Sequence, residues 1–459
     1  MTQDGLDQAR RKMTDAGLSP AAIDVFSYYY EQLRNGATGL IAEDSIDSLP
    51  QPARLSDVSV DGEAAREALG RTVIIKLNGG LGTSMGMEQA KSLLPVRDGR
   101  SFLDIICDQV RHARSSFGVR LPLLFMDSFR TSADTLAALA AHSDLAVDGL
   151  PWDFIQNQVP KLRTDHLTPV VWDADPSLEW CPPGHGDLYT VLLETGILAL
   201  LLEQGYRYAM VNNSDNLGAT PDPQLAGWYA GTGAPFAIEV CRRTAADRKG
   251  GHLALRRADS RIILRESAQT ASEDMDAFTD ETRHAFFNTN SLWFDLARLD
   301  EVLRETHGVL GLPLIRNIKT VDPTDPSSPE VYQVETAMGA AIEVFEGAQA
   351  IEVGRERFLP VKTTNDLLLL RSDVYDVGTD GSVRREADAA PLIDLDTRFY
   401  RTIADFDRRF PAGAPSLRTA RSLSVAGDWT FEAGVVCEGD AELEDAGTPS
   451  TVRQGTRLR

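Results

Sequence analysis

The stretch Thr72–Gly86, TVIIKLNGGLGTSMG, decides the fold. Its first six residues form an apolar, β-branched run of the kind buried on both faces of a sheet. Gly79, Gly80, Gly82 and Gly86 follow. Ser101-x-x-Asp104 then offers a capping box for a helix running through Val110. A strand that enters a glycine-rich turn and then a helix is half of a βα unit. Glycines at such a turn let backbone N–H groups approach a phosphate or a flat base closely. They would equally serve a plain structural turn. No Gly-Lys-Ser/Thr occurs, so this is not a Walker A loop. The G-x-G-x-x-x-G spacing also departs from the dinucleotide fingerprint, which removes an NAD-dependent oxidoreductase.

Working outward, residues 1–70 read as amphipathic helices. Ser19 caps a helix opening at Pro20 and stopping at Gly36, with Phe26, Tyr29, Tyr30 and Leu33 on its packed face. Downstream, strands are expected at Leu121–Met126, Tyr206–Val211, Phe236–Val240 and Ser291–Phe294, with one long helix over Leu188–Gly205. This alternation predicts an α/β fold with a doubly wound sheet, mixed at its edge. Ligands of such sheets lie beyond the carboxyl ends of the strands, so the glycine loop and Asn212–Asp215 should point into one crevice. Composition shifts after Tyr375. Ser422–Leu443 alternates short apolar pairs with Gly-Asp and Glu-Gly turns, which predicts stacked β-turns in a small solenoid or barrel. Gly447–Arg459 shows no periodicity and is expected to lack structure. The expected division is 1–70, 71–375 and 376–459.

The chain has 459 residues, with 46 Lys+Arg against 68 Asp+Glu and a net charge of −22. That balance disfavours nucleic acid and anionic membranes as partners. No apolar run approaches the about 20 residues of a membrane span. The polar N-terminus carries no signal region, so a cytoplasmic location is expected. Cys107, Cys181, Cys241 and Cys437 stand singly, which signals neither disulfides nor a thiolate zinc site.

Three further positions could carry chemistry. Lys91 follows the glycine loop closely enough to reach phosphates held there, although most lysines are simply solvated. His185, in CPPGHGD (Cys181–Asp187), sits between two glycines before a helix and could bind an anion. The plain alternative is a Pro-Gly turn with Asp187 as a cap. Asp215, in NNSDN (Asn212–Asn216), ends a strand and could hold Mg²⁺ or merely shape an Asx-turn. The other histidines lack the spacing of a zincin or a nucleotidyl-histidine site. Direct displacement steered by positive charge and metal is therefore expected, without a covalent intermediate.

Taken together, KLNGGLGTSMG (Lys76–Gly86), AKSLLPV (Ala90–Val96), FIQNQVPK (Phe154–Lys161), WCPPGHGDLY (Trp180–Tyr189), NNSDNLGA (Asn212–Ala219), KGGHLA (Lys249–Ala254), FNTNSLWF (Phe287–Phe294) and the run Val334–Tyr375 resemble the eukaryotic-like UTP–glucose-1-phosphate uridylyltransferases. The resemblance covers roughly Arg71–Tyr375, in order. It implies a nucleotidyltransferase α/β domain, following the helical N-terminal segment, and a C-terminal left-handed β-helix through which a homo-oligomer could form. It also implies roles. Leu77, Asn78, Gly79 and Gly80 would hold UTP by backbone groups, with Gly80, Gln156 and Gly184 at the uracil. Lys91 would neutralise phosphates, and Lys362 would sit at the reacting α-phosphate. His185 would meet glucose 1-phosphate, with Asn213, Ser214, Gly251 and Asn290 around the sugar. Asp215 would coordinate Mg²⁺. The products would be UDP-glucose and pyrophosphate.

The physics of that reaction suits these residues. A sugar-phosphate oxygen must attack an α-phosphorus already surrounded by negative charge, so cations are needed where charge builds. A protein of charge −22 must concentrate its lysines to supply them. An amide such as Gln156 can both donate to and accept from uracil. Alternatives are a broader UDP-sugar or UDP-N-acetylhexosamine pyrophosphorylase, and a catalytically silent UDP-sugar binder. Thr83-Ser84 favours the glucose enzyme, because hexosamine relatives usually carry Thr-Arg there.

Overall fold

Thr72–Leu77 is a strand, buried along five of its six residues, and in the computed structural model it lies in a mixed sheet. The structure describes every residue except Met1, Thr2, Ala245, Ala246 and Lys249, and Gln3 only as part of a helix. The first residue of the KGGHLA motif therefore lies outside the described residues. The chain divides into two compact units. The first comprises Met1–Leu77, Asp148–Val211 and Asp222–Val353; the second comprises Asn78–Val147, Asn212–Pro221 and Gly354–Arg459.

In the first unit, six strands lie in the order Ala53–Arg54, Gln349–Glu352, Phe236–Arg242, Phe286–Asp295, Tyr208–Asn213, Thr72–Leu77. Gln349–Glu352 pairs parallel with its neighbours on both sides, whereas Phe286–Asp295 runs antiparallel to both of its own. The fold is thus mixed α/β. Most strand ends differ from expectation by about two residues, but Phe286–Asp295 starts five residues before the expected Ser291, because the polar FNTN run hides the part of the strand ahead of the bulge. The register between Phe236–Arg242 and Phe286–Asp295 shifts where Glu239 faces Ser291 and Val240 faces Asn288. Thr289 and Asn290 are left in the bulge, and Asn290 takes a left-handed φ of 60°.

The long helix expected over Leu188–Gly205 is two helices, Leu188–Glu194 and Ile197–Glu203, bent by 67°. Gly196, at φ 74°, breaks it: its left-handed backbone ends one helix and starts the next. Among the described residues no single helix is long and apolar enough to cross a membrane. The Pro20–Arg34 helix begins as the sequence predicts, with Ser19 Oγ accepting from Ala22 N–H. Its Phe26, Tyr30 and Leu33 pack with Val159, Leu162, Leu314 and Val334.

In the second unit, Ser101 and Asp104 form the expected capping box, on a helix that runs to Phe117. The C-terminal strands Leu392–Leu395, Ser416–Val425, Val436–Leu443 and Arg457–Leu458 make a sheet in which every neighbour is parallel. Trp429–Phe431 and Ser450–Val452 pair parallel beside it. The expectation that Gly447–Arg459 lacks structure is corrected here. Each of its strands has two or three residues and pairs about twenty residues upstream, a spacing that local periodicity does not register.

Candidate functional site

The candidate residues fall into two groups, one in each unit. In the second unit the glycine loop is anchored through Asn78, whose side chain donates to Asp127 (2.8 Å) and Thr135 (2.9 Å) and accepts from Ser214 Oγ (3.0 Å). The Asn78 N–H is bonded to the Met126 carbonyl (2.8 Å), so this residue's amide serves the scaffold and its carbonyl is the backbone group left for a ligand. Gly80 is different. Nothing lies within 4 Å of where its Cβ would stand, so its backbone faces open space. Its carbonyl accepts the N–H of Lys91 (3.1 Å), which fixes the root of that lysine.

Lys91 Nζ is 2.5 Å from Asp215 Oδ2, with both side chains less than one-fifth exposed. The Asn212–Asn216 loop is in turn zipped to Arg357–Val361. Asn216 accepts from Leu359 N–H (2.8 Å) and donates to the Arg357 carbonyl (3.1 Å), while Val361 N–H reaches the Asp215 carbonyl (3.3 Å). Lys362 is the next residue, and its N–H is held by the Asp366 carboxylate (2.8 Å) at the start of the Thr364–Arg371 helix. The structure therefore gathers Lys91, Asp215 and Lys362 around one loop.

Two arginines that the sequence reading missed clamp this group. Arg97 donates to the carbonyls of Leu370 (2.9 Å), Ser372 (2.5 Å) and Tyr375 (2.8 Å), and Arg371 donates to that of Pro95 (2.7 Å). Together they bind the segment after Lys91 to the helix after Lys362. No local motif marks an arginine that caps carbonyls far along the chain.

Asp215 Oδ1 is buried and has no hydrogen-bond partner. A hard, oxygen-seeking cation fits there. Among the described residues no group of three or more His, Cys, Asp and Glu is placed to hold a metal alone. A single carboxylate with phosphate oxygens is the donor set this loop can offer. Gly82–Gly86 also carries the G-x-S-x-G spacing of a nucleophile elbow, but Ser84 is exposed on the 3-10 turn Thr83–Met85 and does not sit at a strand–helix corner.

In the first unit, Leu77 ends its strand half-buried. Gly184, at φ 82°, leads into a 3-10 turn over His185–Asp187. A Cβ at Gly184 would stand 2.4 Å from the Thr336 carbonyl oxygen, so only glycine fits that approach. His185 Nδ1 accepts the N–H of Met338 (2.9 Å), which leaves Nε2 as the protonated nitrogen. Burial lowers its pKa to about 4, so the ring is a neutral donor near pH 7. Met338 and Gly339 continue to the bulge: a Cβ on Gly339 would stand 3.1 Å from Asn288 Nδ2. Asn288 N–H meets the Gly251 carbonyl (2.9 Å), and its Oδ1 accepts from Asn290 N–H (2.8 Å). His185, Gly251 and Asn290 are thereby linked. Gln156 is half-buried, and its neighbour Asn157 is tied to Asp187. Asp187 makes no cap bond to its own helix, contrary to the plain reading of that residue.

A family model described as UTP–glucose-1-phosphate uridylyltransferase matches residues 23–438. The UTP–glucose-1-phosphate uridylyltransferase of Solanum tuberosum is 37% identical over 391 residues, covering 84% of this chain and 79% of that protein. That of Hordeum vulgare is 38% identical over 388 residues, covering 83% and 79%. Among solved structures, a variant of the Leishmania major UDP-glucose pyrophosphorylase in complex with UDP-glucose aligns with a TM-score of 0.92 at 41% identity, covering 100% of this chain and 98% of that one. The UDP-glucose phosphorylase of Trypanosoma brucei aligns at 0.90 and 41%, covering 99% and 98%.

Proposed function

The chain belongs to the UTP–glucose-1-phosphate uridylyltransferase family, and from that premise we propose that it transfers UMP from UTP to glucose 1-phosphate, releasing pyrophosphate and forming UDP-glucose. In this reading Gln156 and Gly184 of the first unit meet the uracil. His185 donates Nε2–H to glucose 1-phosphate, and Gly251 and Asn290 meet the sugar. In the second unit Gly79 and Gly80 present backbone groups to UTP, and Asn213 and Ser214 border the sugar. Lys91 and Lys362 carry the charge. A glucose-1-phosphate oxygen forms the new bond to the α-phosphorus, and the bond from that phosphorus to the bridging oxygen of pyrophosphate breaks. Lys362, on a backbone fixed by Asp366 and Asp215, supplies an ammonium where the α-phosphate gains charge. Asp215 would hold Mg²⁺, which supplies Lewis-acid neutralisation of the phosphate oxygens. The all-parallel C-terminal strands support a left-handed β-helix there, a candidate surface for a homo-oligomer.

The observation that supports this reading most is the meeting of Lys91, Asp215 and the Lys362 backbone in a protein of net charge −22. The test is pyrophosphate release across nucleoside triphosphates and the 1-phosphates of glucose, galactose and N-acetylglucosamine, with and without Mg²⁺. Release with UTP and glucose 1-phosphate, dependent on the metal, is expected. Preference for another sugar would indicate the broader pyrophosphorylase, and no release with any pair a silent binder.

A further inference from the structure

Asp187 is 6% exposed, and among the described residues no arginine or lysine bonds its carboxylate. Its carboxylate instead takes two bonds from one residue, the N–H (2.6 Å) and the side-chain amide (3.1 Å) of Asn157. The same Asn157 amide also donates to Glu194 Oε1 (2.8 Å), and Glu194 Oε2 accepts the Ser19 hydroxyl. Ser19 caps the Pro20–Arg34 helix. Four side chains thus run from an N-terminal helix cap to the residue beside Gln156. Burying a carboxylate next to a second one is unfavourable for stability, and a plain turn would be as well served by a neutral cap. Such an arrangement persists where it fixes something else.

We propose that Asp187 is a positioning residue for selection of the nucleotide base: by gripping Asn157 it holds Gln156 in register with the Gly184–Gly186 turn. The inference rests on the assignment of Gln156 and Gly184 to the uracil. A base-reading amide discriminates only when its place is fixed, since a loosely held one can pair with the wrong edge.

The carboxylate carries a pH signature. Burial pushes the Asp187 pKa up to about 7; the Asn157 bonds pull it down and Glu194 pushes it further up. Above that pH the ion accepts both Asn157 donors; below it, the added proton displaces one. The titratable groups around it are few. Glu194 ends its own helix, and His185, two residues upstream, is neutral above about pH 4. Tyr189 and Tyr29 line the same cavity, and burial raises both, so they stay protonated. Glu335, against Gly184, is also raised by burial.

Asp187→Asn tests the proposal, with KM and kcat measured for UTP and CTP between pH 6 and 8.5. The expected result is a rise of about tenfold in the KM for UTP and a similar fall in preference over CTP, with kcat and the KM for glucose 1-phosphate within about twofold. In the wild type the KM for UTP should rise below about pH 7, and in the variant that rise should flatten. An unchanged preference, or a general decline in kcat and both KM values, overturns the proposal. Should that variant not fold, Glu194→Gln carries the test: removing the charge that raises Asp187 should move the rise in KM for UTP to lower pH, and a rise at the wild-type pH contradicts the proposal. Gln156→Ala separates the two assumptions. If it leaves the UTP:CTP ratio intact, the base assignment itself is wrong; if it collapses the ratio while Asp187→Asn does not, only the positioning role fails.

Discussion

His185 shows how one backbone hydrogen bond decides what a side chain can do. The sequence suggested an imidazole at an anion site and left its charge and tautomer open. The Met338 N–H, 2.9 Å from Nδ1, fixes the tautomer, and burial takes the pKa to about 4. A lowered pKa means that the ring is neutral at every pH above about 4, so it contributes a hydrogen bond and no titrating charge. We therefore expect His185→Gln to lower kcat/KM for glucose 1-phosphate by about tenfold while leaving the midpoint of the acid limb of the pH–rate profile where it is in wild type. Disappearance of a limb near pH 6 to 6.5 in the variant would mean that an imidazolium acts instead. Asn290 marks the limit of reading residues singly. Its motif drew attention to it, but its left-handed backbone follows from a register shift against Glu239 and Val240, which only the pairing of distant strands creates.

Elements whose signals are local were legible in the chain. The Thr72–Leu77 strand, the Ser19 cap and the Ser101 capping box each rest on a few adjacent residues, and each forms as read. The helix break at Gly196 was missed because an apolar run continues through it, and helical periodicity on both sides hides one left-handed glycine. The clamp between the lysine-bearing segments was missed for the opposite reason, since its parts lie far apart in sequence. Arg97 bonds three carbonyls at the end of the helix that follows Lys362. Arg97→Ala should lower stability by about 3 kcal/mol, because those carbonyls lose charged donors. It should also reduce kcat more than the KM for UTP, as Lys362 loses its fixed base. Thermal unfolding alongside steady-state kinetics checks both; a folded variant with wild-type kcat would show that the clamp is structural only.

At the scale of the molecule, the division of labour follows charge. The chain carries an excess of 22 negative charges, and the residues assigned to the phosphates are held by local anchors: the Lys91 ammonium bonds the Asp215 carboxylate, and the backbone at Val361 and Lys362 is tied to Asp215 and Asp366. Composition disfavoured whole classes of partner, and ordered motifs pointed to the family. Neither could show that Asp215 bonds Lys91 through one oxygen and leaves the other buried without a partner. A double-mutant cycle on Lys362→Ala and Asp215→Ala, followed by kcat for pyrophosphate release from UTP and glucose 1-phosphate, tests whether these groups act on one reacting phosphate. Each single change should reduce kcat by about 10²–10³, and the double change should fall short of the product of the two losses. Either single variant within about twofold of wild type, or losses that multiply in full, would contradict a shared role.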